Sequence, residues 1–288
     1  MARKGSIRAA ADALNVAPSA ISRQIQKLER ELGAPLFERL ARGLRLTSAG
    51  EILIHHARAS ADELDRARAA VQDLRGARRG HATLATVESV AVGFLPRLLA
   101  EFWAKSPAIA VNVSVGGSNR VFQAVAEGEA DLALAFAVPT LPKLRLLAAA
   151  DLRIGAVMSP RHPLAGAKSA RFADFIGMPV LLSDTSLTMR PSIEAALHRS
   201  SVALAPRSVT NSINVMNLLA AENLGVAFET RIGIAREEAR GELVFVPLAE
   251  PRLAAQRLML CARPEGPLST ATAALAKAMG AAVSNLRD

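Results

Sequence analysis

Residues 18–27, PSAISRQIQK, bring together two hydroxyls (Ser19, Ser22), a guanidinium (Arg23) and an ammonium (Lys27) within ten positions. At about 100° per residue Ser19, Ser22, Arg23, Gln26 and Arg30 lie opposite an apolar stripe of Ile21, Ile25, Leu28 and Leu32, with Lys27 at its edge. The hydroxyls and Arg23 suit base edges and phosphates, whereas Lys27 and Arg30 suit phosphate alone. Arg39, Arg42 and Arg45 follow at intervals of three. A second group of polar residues stands where strand-like segments give way to helix-like ones: Glu88 and Ser89, Ser118 with Asn119, Thr185 and Ser186, and Asn211. Hydroxyls and helix-start N–H groups gathered at one cleft suit a small polar or anionic ligand. Serine and asparagine at such junctions also cap helices, so both readings stay open. Glu88 disfavours an anion unless a cation such as Arg190 intervenes, and an amine-bearing or neutral ligand is equally compatible.

Other chemistry is not advertised. Cys261 is the single cysteine, and the five histidines show no metal-ligand spacing, so no disulfide or metal site is expected. No glycine-rich phosphate loop, dinucleotide fingerprint or nucleophile elbow occurs, and no cofactor or enzymatic activity is expected. The chain has no apolar run of about 18 residues and no signal-like start, which makes a cytoplasmic location the expectation and membrane association unexpected. The net charge of +9 is uneven: residues 1–80 hold 15 Lys and Arg against 9 Asp and Glu, and the rest hold 20 against 17. The amino-terminal part is therefore the candidate for a polyanion. Aromatic content of 3% offers few stacking platforms, which favours duplex DNA over single strands. On charge alone, a generally basic proteome accounts for the same figures.

The elements that must hold these groups are legible around them. Ser6 can cap a helix over 7–14, residues 15–17 break it, and Pro18 suits the first position of a second helix that Gly33 and Pro35 end. Residues 34–50, APLFERLARGLRLTSAG, read as two short strands about a turn at Arg42-Gly43, a basic hairpin placed as a wing. Ser48 and Glu51 form a capping-box pattern opening a helix of roughly 40 Å to about residue 74. Leu53, Ala57, Ser60, Leu64, Ala67, Val71 and Leu74 alternate by four and three, a seam for dimerisation rather than for packing on the same chain. The flexible GARRG at 76–80 follows.

Beyond residue 80 strands and helices alternate. Strands are expected at 82–87, 109–115 and 131–136 with helices at 92–104 and 119–127, a parallel βαβαβ unit. A second unit comprises strands at 153–158, 180–183 and 225–228 and helices at 191–199 and 212–222. Strands at 243–246 and 256–262 and a helix at 269–286 are expected to return to the first lobe. The fold class is α/β with an all-α amino-terminal part: residues 1–47 a winged helix-turn-helix, 48–80 a linker and dimerisation helix with hinge, and 81–288 a two-lobed domain. Lobe one takes about 81–150 and 251–288, lobe two about 151–250, and the ligand is expected in the cleft beyond the strand ends.

AAADALNVAPSAISRQIQKLERELGAPLFER followed by RGLRLTSAG resembles the LysR-type family of bacterial transcriptional regulators over almost every position. The resemblance implies a homo-oligomeric regulator, dimer or tetramer, with a winged helix, a long linker helix and a periplasmic-binding-protein-like effector domain. It implies double-stranded DNA with a pseudo-palindromic operator as partner, a small polar organic effector, and RNA polymerase as a possible further contact. DNA contacts carry over onto Ser19, Ser22, Arg23 and Lys27, and onto Arg39, Arg42 and Arg45, with Pro18 at the helix start counted among the candidate DNA-binding residues; Ser89, Ser118, Ser186 and Asn211 carry over as effector contacts. Two departures stand out. Many members have Ser-Gln where this chain has Ala17-Pro18, and members carry a whole helix before the equivalent of Gly5-Ser6. Without that helix, apolar surface around Ala10, Leu14 and Ile25 is expected to be exposed. DNA binding is then expected to be weak, and strong in a chain extended by about 15 residues, enough for one more helix. The leading expectation is a ligand-responsive DNA-binding regulator; the alternative is a small-molecule-binding protein whose DNA module is inactivated by truncation.

Overall fold

The computed structural model describes residues 6–40, 43–54, 56–57, 60, 64, 80–251, 253–264 and 266–286. The chain divides into two compact units, residues 1–67 and 68–288, taken in turn.

The first unit opens with α1 (Ile7–Leu14) and α2 (Pro18–Leu32). The Ser6 hydroxyl accepts from the Ala9 N–H at 3.1 Å, as the sequence pattern required. Asn15 takes the left-handed conformation, φ 53°, which lets its N–H close the end of α1 and turns the chain within three residues. Gly33, at φ 66°, ends α2 in the same way without the penalty a side chain carries there. Strands β1 (Phe37–Leu40) and β2 (Gly43–Leu46) pair antiparallel as the wing. Glu29 ties α2 to that wing, its Oε1 accepting from the Leu36 N–H at 2.8 Å and the Phe37 N–H at 3.4 Å.

The helix that follows begins one residue earlier than a Ser48–Glu51 box requires. Thr47 is the cap: its hydroxyl accepts from the Gly50 N–H at 3.1 Å and donates to the Pro35 carbonyl at 2.6 Å. Thr47 wins because it also closes the base of the wing, which Ser48 does not. Helix is described at 48–54, 56–57, 60 and 64. On the expected seam Leu53 is half-buried and Ala57, Ser60 and Leu64 are exposed, while Ala67, Val71 and Leu74 lie outside the described residues.

The second unit holds two five-stranded sheets, each with its own apolar core. Lobe one contains β3 (Gly80–Thr86), β4 (Ile109–Val115), β5 (Leu132–Phe136), β6 (Arg145–Leu152) and β12 (Gln256–Ala262), ordered β4-β3-β5-β12-β6. The first three are parallel, and β12 runs antiparallel to β5 and β6. Lobe two contains β7 (Ile154–Met158), β8 (Val180–Ser183), β9 (Pro206–Thr210), β10 (Val226–Thr230) and β11 (Val244–Pro247), ordered β11-β7-β10-β8-β9. Its core centres on Phe228, which meets Phe172 and Phe175 edge-on at 5.1 and 5.3 Å between ring centroids. The chain passes between the lobes at Arg153, directly from β6 into β7, and again at 248–255. Continuous strands at one crossing leave little freedom other than a hinge.

Three expectations are corrected. Strand β11 stays in lobe two, antiparallel to β7, so only β12 returns to lobe one. The helix expected at 92–104 is two: α3 (Glu88–Gly93) and α4 (Leu95–Lys105), broken at Phe94. Pro96 explains the break, since its ring in a continuous helix would clash with the carbonyl four residues back. Strands β6 and β9 occur where none was expected. Both are edge strands, β6 alanine-rich and β9 opened by Pro206, whose missing N–H only an edge tolerates. The remaining helices are α5 (Ser118–Ala126), α6 (Met189–Ser200), α7 (Ile213–Ala221), α8 (Ala235–Ala239) and α9 (Thr270–Ser284).

Candidate functional site

On the first unit, α2 presents the polar face that its periodicity requires. Ser19, Arg23 and Lys27 are exposed and Ser22 is half-exposed, while Ile21 and Ile25 turn partly inward. Pro18 stands in the first turn, where no N–H is needed. Lys27 lies 3.8 Å from Glu31, a weak exposed pair that a phosphate can displace. In the wing Arg45 stands directly across from Glu38 and hydrogen-bonds to its carboxylate, which raises the Arg45 pKa from its ordinary value. Arg39 occupies β1, opposite Leu44, and Arg42 lies outside the described residues. The first unit also has an open apolar groove of about 490 Å³, lined in part by Ala10, Leu14, Ile21, Ile25, Leu53 and Ile54. Leu14 is 67% exposed there.

In the second unit a cavity of about 290 Å³ opens between the lobes. Of the expected ligand residues it gathers Glu88, Ser89, Ser118, Ser186 and Asn211; Thr185 is exposed and outside its lining. Val87, Val115, Gly116, Gly117 and Phe136 from lobe one and Leu187, Thr188, Met189 and Ile213 from lobe two complete the wall. The apolar members carry no signature distinguishing cleft wall from core, so only spatial assembly reveals them. A Cβ on Gly117 would lie 3.6 Å from the Ser186 carbonyl, ordinary contact distance, so the two lobes touch at this rim. Ser89 and Ser118 are buried at the starts of α3 and α5.

The polar groups are not all equally available. Asp184 accepts from the Ser186 N–H at 2.9 Å and from its hydroxyl at 2.6 Å, and these bonds lower the Asp184 pKa. Ser186 therefore offers a ligand its acceptor lone pairs. Arg190, considered above as a cation for the cleft, instead donates to the Ser183 carbonyl at 2.5 Å and to Glu194 at 2.7 Å. Glu88 is the one ionisable residue of the lining. Its carboxylate reaches across the lobes, accepting from the Ser212 hydroxyl at 2.8 Å and the Ile213 N–H at 2.6 Å. It thus sits at the amino terminus of α7, where helix polarity favours negative charge. Sequence reading named Glu88 as a ligand group but not as this inter-lobe bridge. Among the described residues no group of three or more His, Cys, Asp or Glu is arranged to hold a metal.

Residues 75–284 match the family description "LysR substrate binding domain", and residues 1–51 match "Bacterial regulatory helix-turn-helix protein, lysR family". The chain belongs to the LysR family. A probable RuBisCO transcriptional regulator from Emiliania huxleyi is 30% identical to this LysR-family chain over 247 residues, 84% of this chain and 79% of that protein. Among solved structures, full-length CbnR complexed with its target DNA shares 18% identity at a TM-score of 0.64, covering 96% of this chain and 94% of that one. The regulatory domain of Synechocystis CcmR in complex with 2-PG shares 21% identity at a TM-score of 0.61, covering 72% of this chain and 99% of that one. These likenesses place the winged helix-turn-helix and the two-lobed domain in the LysR architecture. No described helix is long and apolar enough to cross a membrane.

Proposed function

We propose that this LysR-family regulator binds operator DNA through α2 and the wing, and that a small molecule in the inter-lobe cleft controls that binding. The observation that carries the reading is one chain holding both an exposed Ser19–Arg23–Lys27 face and a cleft whose walls belong to two lobes joined by two chain crossings. Ser19, Ser22 and Arg23 read the major groove with Pro18 placing the helix start, and Lys27, Arg39, Arg42 and Arg45 hold phosphate. Two copies joined along the seam from Leu53 to Leu74 set the half-site spacing of a pseudo-palindrome. The division into 1–47, 48–80 and 81–288 assigns one task to each segment.

Ser89, Ser118, Ser186, Asn211 and Glu88 are the effector contacts, with Thr185 at the outer edge. The effector is a small polar molecule, neutral or amine-bearing, because the lining offers hydroxyls and one carboxylate but no side-chain cation. A ligand that favours one lobe arrangement shifts the assembly, whereas equal affinity for both shifts nothing. The chain acts as a regulator and not as an enzyme, in the cytoplasm where its DNA lies. Fluorescence anisotropy on the duplex upstream of its own gene tests this: binding that weakens linearly in log–log salt supports it, and salt-insensitive binding refutes the arginine assignments.

The apolar groove favours one second reading, a small-molecule-binding protein with an inactive DNA module, since α1 and α2 line an open apolar surface rather than a filled core. Ligand-induced stabilisation of the second unit without any sequence-preferring duplex binding would select it.

A further inference from the structure

Glu229, on β10, is fully buried, and neither carboxylate oxygen has a hydrogen-bond partner among the described residues. It lies next to the main contact between the lobes. There α3 of lobe one packs on the turn Arg231–Ile234 of lobe two, so closely that a Cβ on Gly93 would lie 1.9 Å from the Ile232 carbonyl. A Cβ on Gly233 would lie 2.2 Å from Glu229 Oε2 and 3.3 Å from the Ser89 Cβ, so Glu229 lies directly beneath the lobe-one helix that carries Glu88 and Ser89. Asn217 of α7 donates to the Gly233 carbonyl at 3.1 Å, and its own buried Oδ1 has no partner. Strand register brings Ser183 level with Glu229, because Val226 and Ala227 pair with Val180 and Leu181, and the Ser183 hydroxyl is likewise buried and unpartnered.

Glu88 comes from α3 and Glu237 from α8; α7 and the neighbouring strands β7 and β8 carry no ionisable side chain. Arg231 of the turn, half-exposed, is bidentate to Glu238 and lies over the Phe245 ring, and Arg236 of α8 is exposed. Glu229 is therefore set near two other carboxylates, and among the described residues no cation is hydrogen-bonded to it. Burial, then the charges of Glu237 and Glu88, push its pKa well above the ordinary carboxylate range.

We propose that Glu229 is a proton-linked latch: its neutral carboxyl permits the closed contact of α3 with lobe two, and loss of its proton to solvent loosens that contact. The physical step is electrostatic. Glu88 holds the lobes together by a charged acceptor at Ser212 and Ile213, and an ionised Glu229, itself fully buried, adds a second negative charge to the same contact with little solvent around it. If the cleft is the effector site, as read above, closure over a ligand takes up one proton, and affinity falls by up to tenfold per pH unit where Glu229 titrates.

The test needs no ligand. Melting temperature and amide exchange, corrected for intrinsic rates, are measured on the full chain from about pH 5 to about pH 8 for the wild type, Glu229→Gln and Glu229→Leu. Expected are a wild-type melting temperature that falls relative to both variants as pH rises, and exchange at 88–93 and 211–217 that rises with pH in the wild type alone. Parallel melting profiles for the wild type and a folded variant overturn the proton link. A wild-type decline with pH-independent protection at 88–93 and 211–217 overturns the latch. Absence of any cleft ligand would sink the functional reading while leaving these outcomes as they are.

Discussion

Glu88→Ala removes the charged acceptor that joins α3 to the start of α7. Two hydrogen bonds are lost, from Ser212 Oγ at 2.8 Å and Ile213 N at 2.6 Å. Bonds to a charged group are worth about 1.5–3 kcal/mol each, and the side chain is half-exposed, which lowers the figure. Removing one carboxylate near Glu229 offsets part of the loss. The net expectation is about 2 kcal/mol. For a domain of this size about 1 kcal/mol moves the melting temperature by about 2–4 °C, so a fall of about 4–8 °C is expected in calorimetry at neutral pH. Ser212→Ala loses one of the same bonds together with the cap on the Val215 N–H at 3.2 Å, so the double variant is expected to show coupling of about 1 kcal/mol. A melting temperature unchanged within a degree in Glu88→Ala, or strict additivity with Ser212→Ala, would refute the bridge as a source of inter-lobe stability.

Further outcomes follow from the same geometry. Arg23→Ala is expected to weaken duplex binding by roughly tenfold to a hundredfold and to reduce the salt slope by about 1, measured by anisotropy across a salt series. Gly93→Ala sets a Cβ against the Ile232 carbonyl, so it is expected to cost at least about 2 kcal/mol in denaturant unfolding and to loosen exchange at 231–234. Cys261, buried and with its pKa pushed up to about 11 by burial, is protonated at neutral pH. Iodoacetamide is expected to label it only after unfolding, and rapid labelling of the native protein would contradict its place in the lobe-one core.

The local code was the most readable part of this chain. Ser6, Pro18 and Gly33 mark helix ends through their own backbone and hydroxyl chemistry, and the structure places them at those ends. Ser48 misled because Thr47, one residue earlier, serves the helix and the wing together, a tertiary reason that a capping pattern does not contain. Strand β6, RLLAAADL, escaped because alanine-rich stretches carry helix propensity, and only pairing with β12 makes this one a strand. The cleft was half legible. Its hydroxyls announce themselves at strand–helix junctions, whereas Phe136, Met189 and Val115 look like core until the lobes are assembled. Arg190 shows the opposite error, a plausible cleft cation held instead by a backbone carbonyl and a neighbouring glutamate.

Occupancy of the inter-lobe cleft is expected to alter how the winged helices engage DNA. The direct measurement is a footprint on the upstream duplex with and without a small polar molecule found by thermal-shift screening, for the wild type and for Ser118→Trp, which fills the cleft. The account requires paired half-site protection that the molecule changes in the wild type and leaves unchanged in Ser118→Trp. No footprint in either protein, or the same ligand-induced change in both, would contradict it.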